Sequence, residues 1–358
     1  MKTSPLLAAV LCLLVQGAQA CSLPVFRFAL DRWAPDPFHL QVSAEDATRP
    51  EIAKFTRNFS AASALNLEIH SIPEAPSRLL RPDSAPNTPH PLWSGSLTPE
   101  FLDSLSQSTA RDEIVRRLLR GDSAVFVFVE SEDGLADNAA AAALEKRLRF
   151  LQQVVALPEI DPSDPSSKPG PGPALQVQFS VLRVPGRHTV TKSGSSSDNL
   201  LLSMLAGPKS GLEESTEPWV AAIFGRGRVL GAWPSASFSD EQIEEVALFL
   251  AGACSCQVKR QNPGWDLLLH IDWEEALHAQ GHHPLPSSST ALQKNASTPA
   301  SPASPQPETV QIRPRASPPA SANASAPNRT DSLRFWAILG GFLGIAAAML
   351  MRKIRSRP

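Results

Sequence analysis

Some stretches of the chain have the spacing of apolar and polar residues that is typical of strands, and others have the spacing typical of helices. The two kinds of stretch alternate along the chain and predict strands and helices in turn. Residues 38–42 and 65–72 alternate as half-buried strands do, and residues 49–62 between them have the spacing of an amphipathic helix. Residues 98–100 read Thr-Pro-Glu, the order of a cap, a first-turn proline and an acid that begins a helix, and a break follows near Ser108. This part of the chain therefore predicts mixed α/β structure.

The elements predicted further along the chain are clearer. Residues 124–129 are a short apolar run suited to a buried strand. Leu144, Leu148, Leu151 and Val155 then recur at helical spacing and mark the buried face of one helix. The remaining predicted elements are a strand at 175–184, a short helix at 200–205, strands at 219–224 and 229–233 around a glycine turn, and a helix that begins at a capping box, 239–242.

The two ends of the chain predict its location. Residues 1–20 have a charged start, an apolar run and small residues before Cys21, which is the pattern of a cleavable export signal. Residues 334–351 are predicted to be a transmembrane helix, followed by a basic cytoplasmic tail at 352–358. Residues 283–332 are rich in Pro, Ser and Ala and predict a disordered stalk. Together they predict a signal-cleaved, single-pass membrane protein with its ectodomain outside the cytoplasm.

The predicted span carries small residues on one face. Gly340, Gly344 and Ala348 recur every fourth residue, and small residues at this spacing let two helices approach closely. The span is therefore either a face for homodimerisation or a lone anchor.

The second half of the ectodomain resembles a thioredoxin-like domain over residues 122–253. The resemblance rests on Pro218, the following hairpin with its Gly-Arg-Gly-Arg turn, and the helix that begins at residue 239. It implies that Pro218 is the family's cis-proline. The family's catalytic C-x-x-C would fall at residues 130–137, which contain no thiol, so the resemblance implies a redox-inactive module. We expect a domain at 122–282 with a C-x-C extension, and an α/β domain at 21–121. A degenerate second copy of the thioredoxin-like plan is one hypothesis for this first domain.

A second resemblance covers two short blocks, residues 21–33 and 253–268. These blocks are similar to those of an uncharacterised family of exported, membrane-anchored bacterial envelope proteins. That resemblance implies a bacterial envelope location, and it implies no activity.

Three cysteines, Cys21, Cys254 and Cys256, would remain after signal cleavage. Export permits disulfides, so a bridge from Cys21 to Cys254 or Cys256 is one hypothesis. A thiol or soft-metal site formed by Cys254 and Cys256, with Cys21 and His270 as further ligands, is another. Lipid attachment to Cys21 is a third, and it would remove that thiol from both other schemes.

The net charge and the candidate residues lead to an expectation about function. A formal net charge of -2 gives no support for nucleic-acid binding. Asp266, Asp272, Glu274 and Glu275 offer carboxylates for acid/base work, or else the polar face of a short helix. We predict no catalytic residues and no cofactor. The leading hypothesis is a membrane-tethered extracytoplasmic module that binds or assembles another envelope protein; the alternative is a thiol-disulfide oxidoreductase or soft-metal-handling protein using Cys254 and Cys256.

Overall fold

Two β-sheets organise the part of the chain that the computed structural model describes. The described residues are 22–62, 64–73, 76–82, 91–187, 196–207, 211–254 and 258–281. The predicted signal, stalk, span and tail lie outside these ranges, as do Cys21, Cys256 and the small residues of the predicted span. Among the described residues, no helix has the length and apolar character needed to cross a bilayer.

Strands and helices alternate along most of the described chain. The strands are β1 (Phe38–Ser43), β2 (Leu67–Ile72), β3 (Ser77–Leu80), β4 (Trp93–Gly95), β5 (Ala124–Val129), β6 (Phe179–Val184), β7 (Trp219–Phe224), β8 (Arg228–Pro234) and β9 (Trp265–Asp266). The helices are α1 (Val25–Arg32), α2 (Ala44–Ala47), α3 (Pro50–Ala62), α4 (Pro99–Ser106), α5 (Thr109–Leu119), α6 (Gly134–Val154), α7 (Ser196–Ala206), α8 (Asp240–Ala251) and α9 (Trp273–Gly281). The predicted α/β class is confirmed.

The two sheets repeat one strand order. The first sheet runs β2-β1-β3-β4, with β1 and β2 parallel and the other pairs antiparallel. The second runs β6-β5-β7-β8-β9, with β5 and β6 parallel and its other pairs antiparallel. Helices connect the parallel pair in each half, α2 and α3 between β1 and β2 and α6 between β5 and β6, as is usual for such crossovers. Each half therefore joins a parallel β-α-β unit to an antiparallel pair.

Local signals placed several boundaries correctly. The Ser108 side chain accepts a hydrogen bond from the Arg111 amide and separates α4 from α5, as the predicted break requires. Ser239 and Gln242 form the predicted capping box of α8. Gly225 and Gly227 have positive φ angles of 58° and 85°, which the turn between β7 and β8 demands and glycine tolerates.

Other elements differ from the sequence prediction. Strand β3 lies inside the proline-rich stretch from 73 to 91, which predicted a surface loop, and its partners β1 and β4 are distant in sequence. The strand predicted at 175–184 begins only at Phe179. The short helix expected around Asp266 to Glu275 begins only at Trp273, and the fully buried Leu267 and Leu268 lie before it in chain without regular secondary structure. These differences arise where tertiary contacts, rather than neighbouring residues, select the conformation.

Strand β5 is buried on both faces because two hydrophobic clusters meet on it. Val125, Val127 and Val129 belong to a cluster that also contains Phe38 and Leu40 of the first sheet. The alternate residues of β5, Ala124, Phe126 and Phe128, join the second cluster with residues of α1, α6 and α8. The core between the sheets is thus common to both halves of the described chain.

The C-terminal segment ties the two sheets together. Strand β9 pairs with β8, and the chain then reaches the first half, where the Ile271 amide donates to the Ala64 carbonyl at 2.8 Å. The Asn66 amide group donates to the carbonyls of Asp36 and Leu267, both at 3.0 Å, and accepts from the Leu269 amide at 2.8 Å. One side chain therefore satisfies backbone groups from two distant parts of the chain.

A buried carboxylate makes the first sheet sensitive to pH. Asp46 is 3% exposed and accepts hydrogen bonds from the Ser77 hydroxyl at 2.5 Å and the Leu97 amide at 3.1 Å. Burial by itself would raise the pKa of Asp46, but these hydrogen bonds, with those from Ser43 and Arg49, outweigh it and leave the pKa below its ordinary value.

We expect Asp46→Asn to lower the free energy of unfolding by about 1.5–3 kcal/mol at pH 7, because hydrogen bonds to a charged acceptor are lost. A depressed folded-state pKa contributes stability that is complete above the unfolded pKa and disappears as pH falls through the folded pKa. Urea unfolding at pH 7 and pH 3 should therefore show a difference between variant and wild type that shrinks in acid. Asp103→Asn, an exposed change on α4, is the control; an equal effect from it would contradict the assignment.

Candidate functional site

The loop between β5 and α6 stands where the thioredoxin resemblance places its catalytic thiols. Asp133 caps α6, and its carboxylate accepts from the amides of Leu135 at 3.0 Å and Ala136 at 3.1 Å. Asp137, 2% exposed, accepts from the Ser131 amide and from the Ser131 hydroxyl at 2.9 Å. Two amides at this helix start are therefore bound by the Asp133 carboxylate, and no thiol is present to be activated there.

A groove of about 600 Å³ opens beside this helix start. This volume lies within the range of pockets that bury small ligands or short peptide segments. Its lining comes from three parts of the chain: the start of α6, the approach to β7 and the segment after β8. The lining residues are Ser131, Glu132, Asp133, Ala136, Ala140, Thr216, Glu217, Pro218, Pro234, Ser235 and Ala236.

Pro218 holds one wall of the groove in place. Its carbonyl accepts a hydrogen bond from the Ser235 amide at 2.8 Å, which ties the approach to β7 to the segment after β8. The next residue, Trp219, is 2% exposed and anchors the start of β7 in the core. The structure thus places Pro218 on the groove. The cis geometry that the resemblance implies for it remains a prediction.

Backbone polar groups on the same wall are open to solvent. Thr216 and Glu217 are exposed. The Glu217 amide donates to the Ser215 hydroxyl at 3.1 Å, whereas the amide and carbonyl of Thr216 form no hydrogen bond with the described residues. Thr216 and Glu217 form a bend before β7. The unbonded amide and carbonyl of Thr216 can form hydrogen bonds with the backbone of a bound partner.

The rim of the groove combines negative charge with apolar surface. Glu132, Asp133 and Glu217 contribute carboxylates, and the neighbouring Leu135 is 84% exposed. An adjoining depression of about 480 Å³ continues past Glu130, whose carboxylate binds the Arg183 guanidinium at 2.7 Å. The surface is therefore suited to an extended segment that carries both basic and apolar side chains.

The one described cysteine of the candidate thiol set lies in the core. Cys254 is 0% exposed and belongs to the cluster beneath α6 and α8, and its amide donates to the Leu23 carbonyl at 2.8 Å. His270 is exposed and forms an isolated bridge with Leu65 of the first half. Cys254 thus contacts the chain at Leu23, whereas His270 contacts it at Leu65. A bridge from Cys21 remains a prediction, since Cys21 and Cys256 lie outside the described residues.

The candidate carboxylates near the C-terminal segment have structural contacts. Asp266 is 4% exposed and pairs with Arg228 at 3.2 Å and with Lys259. Asp272 accepts from the Glu275 amide at 3.0 Å, at the start of α9, and Glu274 pairs with Arg226 at 2.8 Å. Asp266, Asp272 and Glu274 thus have local partners. Asp272 and Glu274 line one pocket of about 280 Å³, but Asp272 caps α9 there and Glu274 is paired with Arg226, so both have structural contacts in it.

A metal-ligating group that the sequence analysis missed lies on the first sheet. His39, Glu68 and His70 form the only cluster of three or more metal-ligating side chains within the ranges that the structure describes, and it contains no cysteine. A usable signal existed: both histidines occupy polar positions of strands predicted on either side of one helix. Such strands are normally parallel neighbours, but their register could not be read from the sequence.

Comparison of the sequence with protein-family models gives no match, and comparison with curated proteins gives none either. The interpretation of the groove therefore rests on its own geometry and chemistry.

Proposed function

We propose that this protein is a membrane-tethered, extracytoplasmic binding or assembly module, without catalysis, built on two thioredoxin-like halves. Its groove beside Pro218 would receive an extended segment of another envelope protein. The observation that carries the proposal is the groove itself, which combines open backbone groups at Thr216 with a helix start whose amides are already bound by Asp133.

The repeated strand order supports the thioredoxin-like assignment. In that family a parallel β-α-β unit precedes an antiparallel hairpin and a final helix, and β5, β6, β7, β8 and α8 follow this plan. The first sheet has the same order for its four strands, which supports a degenerate second copy. It departs from the plan in the direct connection from β2 to β3, where no helix intervenes.

The groove lacks the parts that covalent catalysis needs. Its one hydroxyl beside the helix start, on Ser131, donates to Asp137, and no histidine or cysteine lies among the lining residues to activate it. Thiol chemistry through Cys254 is disfavoured because its side chain has no exposed surface. The groove retains the means to bind: backbone groups that pair with an extended chain, and carboxylates that favour basic side chains.

A site-specific photo-crosslinking experiment tests this proposal. A photoreactive residue at position 216 of the full chain, expressed in membranes of the source organism, should give an adduct with one discrete envelope protein. Ala136→Arg places a long side chain in the groove and should abolish that adduct. The matched control is the same photoreactive residue at position 149, where Arg149 is 62% exposed on α6, and it should give no such adduct.

Two outcomes would contradict the proposal. An adduct that forms equally from positions 216 and 149, or that persists in Ala136→Arg, would show that the groove is not the binding surface. Disulfide-reductase activity of the purified chain above that of a Cys254→Ser, Cys256→Ser double variant would contradict the absence of catalysis.

A further inference from the structure

The exposed face of the β1 and β2 pair brings two histidines and a glutamate together. The parallel register sets His39 opposite Glu68, and Gln41 opposite His70. Because side chains alternate along a strand, these residues share the face that points away from buried Phe38 and Leu40. Six consecutive residue pairs hold the two strands in this register, so the backbone under the cluster is well defined.

The three ligand atoms form a nearly equilateral triangle. His39 Nδ1 lies 3.3 Å from His70 Nε2, and each of these nitrogens lies 3.5 Å from Glu68 Oε2. A tetrahedral ion about 2.0–2.1 Å from nitrogen and oxygen ligands holds those ligands about 3.3–3.4 Å apart. The side chains therefore stand at the spacing of three corners of a tetrahedral site.

We propose that His39, Glu68 and His70 bind a divalent transition-metal ion, with Zn(II) as the expected occupant. Two imidazole nitrogens and one carboxylate oxygen are ligands that Zn(II) takes at its sites, and the fourth corner is left to water. Calcium and magnesium prefer oxygen ligands throughout, so the two imidazoles disfavour them. The carboxylate also offsets part of the charge of the ion.

The exposure of the three side chains determines how strongly the site holds an ion. The side chains of His39, Glu68 and His70 are 25%, 53% and 51% exposed, so an ion reaches them without opening the fold. The other ring nitrogens of the two histidines make no hydrogen bond with described residues. Such outer contacts orient metal-ligating histidines, and losing one typically weakens binding about 10–100-fold. The site is therefore an exchangeable one, weaker than a closed structural zinc site.

The first test is Zn(II) binding by the detergent-solubilised full chain, measured by competition with a chromophoric chelator. We expect one equivalent that weakens at least about 10-fold in His39→Ala, His70→Ala and Glu68→Gln, since each change removes a direct ligand. His270→Ala removes an exposed histidine outside the cluster and should leave the affinity unchanged. Circular dichroism of the metal-free variants, whose substituted side chains are partly exposed, should match the wild type.

Co(II) substitution tells these ligands apart from the cysteines. Nitrogen and oxygen ligands give visible d-d bands of a tetrahedral site without a thiolate charge-transfer band, and these bands should disappear in His70→Ala. A thiolate charge-transfer band would place the ion on cysteine and overturn the proposal. So would Zn(II) affinity that is the same in wild type, His39→Ala and Glu68→Gln, or the lack of any Zn(II) binding by the folded wild type.

Discussion

Asp266→Asn is expected to lower the free energy of unfolding by about 3–5 kcal/mol, the usual cost of removing one partner from a buried ion pair. The Asp266 side chain is 2% exposed, and its carboxylate binds the Arg228 guanidinium, the Lys259 ammonium and, at 2.6 Å, the Asp36 amide. An asparagine at this position carries no charge and would direct an amide donor at groups that are all donors. Urea unfolding analysed by linear extrapolation measures the change.

The control for Asp266→Asn is an ion pair of similar length on the surface. Glu244 binds Arg147 at 2.6 Å but is 47% exposed, so solvent screens the pair. Glu244→Gln should therefore change the free energy of unfolding by no more than about 1 kcal/mol. If the two variants lose equal stability, the buried network around Asp266 does not have the role assigned to it.

Arg111→Met is expected to lower the free energy of unfolding by about 3–5 kcal/mol, because it leaves three backbone carbonyls without a donor. Arg111 is 3% exposed, and its guanidinium donates to the carbonyls of Leu105 and Leu268, each at 2.8 Å, and to that of Ser104. Two of these carbonyls end α4 and the third belongs to the C-terminal segment. Burial lowers the pKa of Arg111 to about 10, which still leaves it charged at neutral pH.

Two further variants separate this role from a simple loss of charge. Arg116→Met alters an arginine of the same helix that is 55% exposed, and its effect should stay below about 1 kcal/mol. Arg111→Lys keeps the charge, but a single ammonium cannot span carbonyls that a planar guanidinium reaches with two nitrogens. Its stability should fall between those of wild type and Arg111→Met. Equal stability of Arg111→Met and Arg116→Met would contradict the assignment.

The parts of the fold that the sequence predicts well depend on residues close together in the chain. Ser108 and Ser239 cap helices through amides three residues away, and the turn at Gly225 and Gly227 needs only two positive φ angles. The burial of β5 on both faces was also predictable, because six apolar residues without a polar position leave no face for solvent. Strand β3 was not predictable, since it is selected by pairing with β1.

The groove could be predicted only in part. The lack of a thiol at residues 130–137 is visible in the sequence, whereas the binding of the α6 amides by Asp133 depends on the conformation of the loop. The contact between Pro218 and Ser235 depends on the register of β7 and β8.

The burial of Asp266 could not be predicted. Asp266 looked like a surface carboxylate next to other acids, and only the packing of Arg228 and Lys259 against it shows that it is buried.

The sequence by itself determined the α/β class, most helix and strand positions and the lack of a thiol before α6, because these follow from periodicity, capping and residue type over a few neighbouring positions. Only the tertiary structure decided the repeated strand order, the core common to both sheets, the groove at Pro218 and the triangle of His39, Glu68 and His70. These features depend on strand register and on contacts between residues far apart in the chain, and a shift of one residue in register would turn the histidines to the other face.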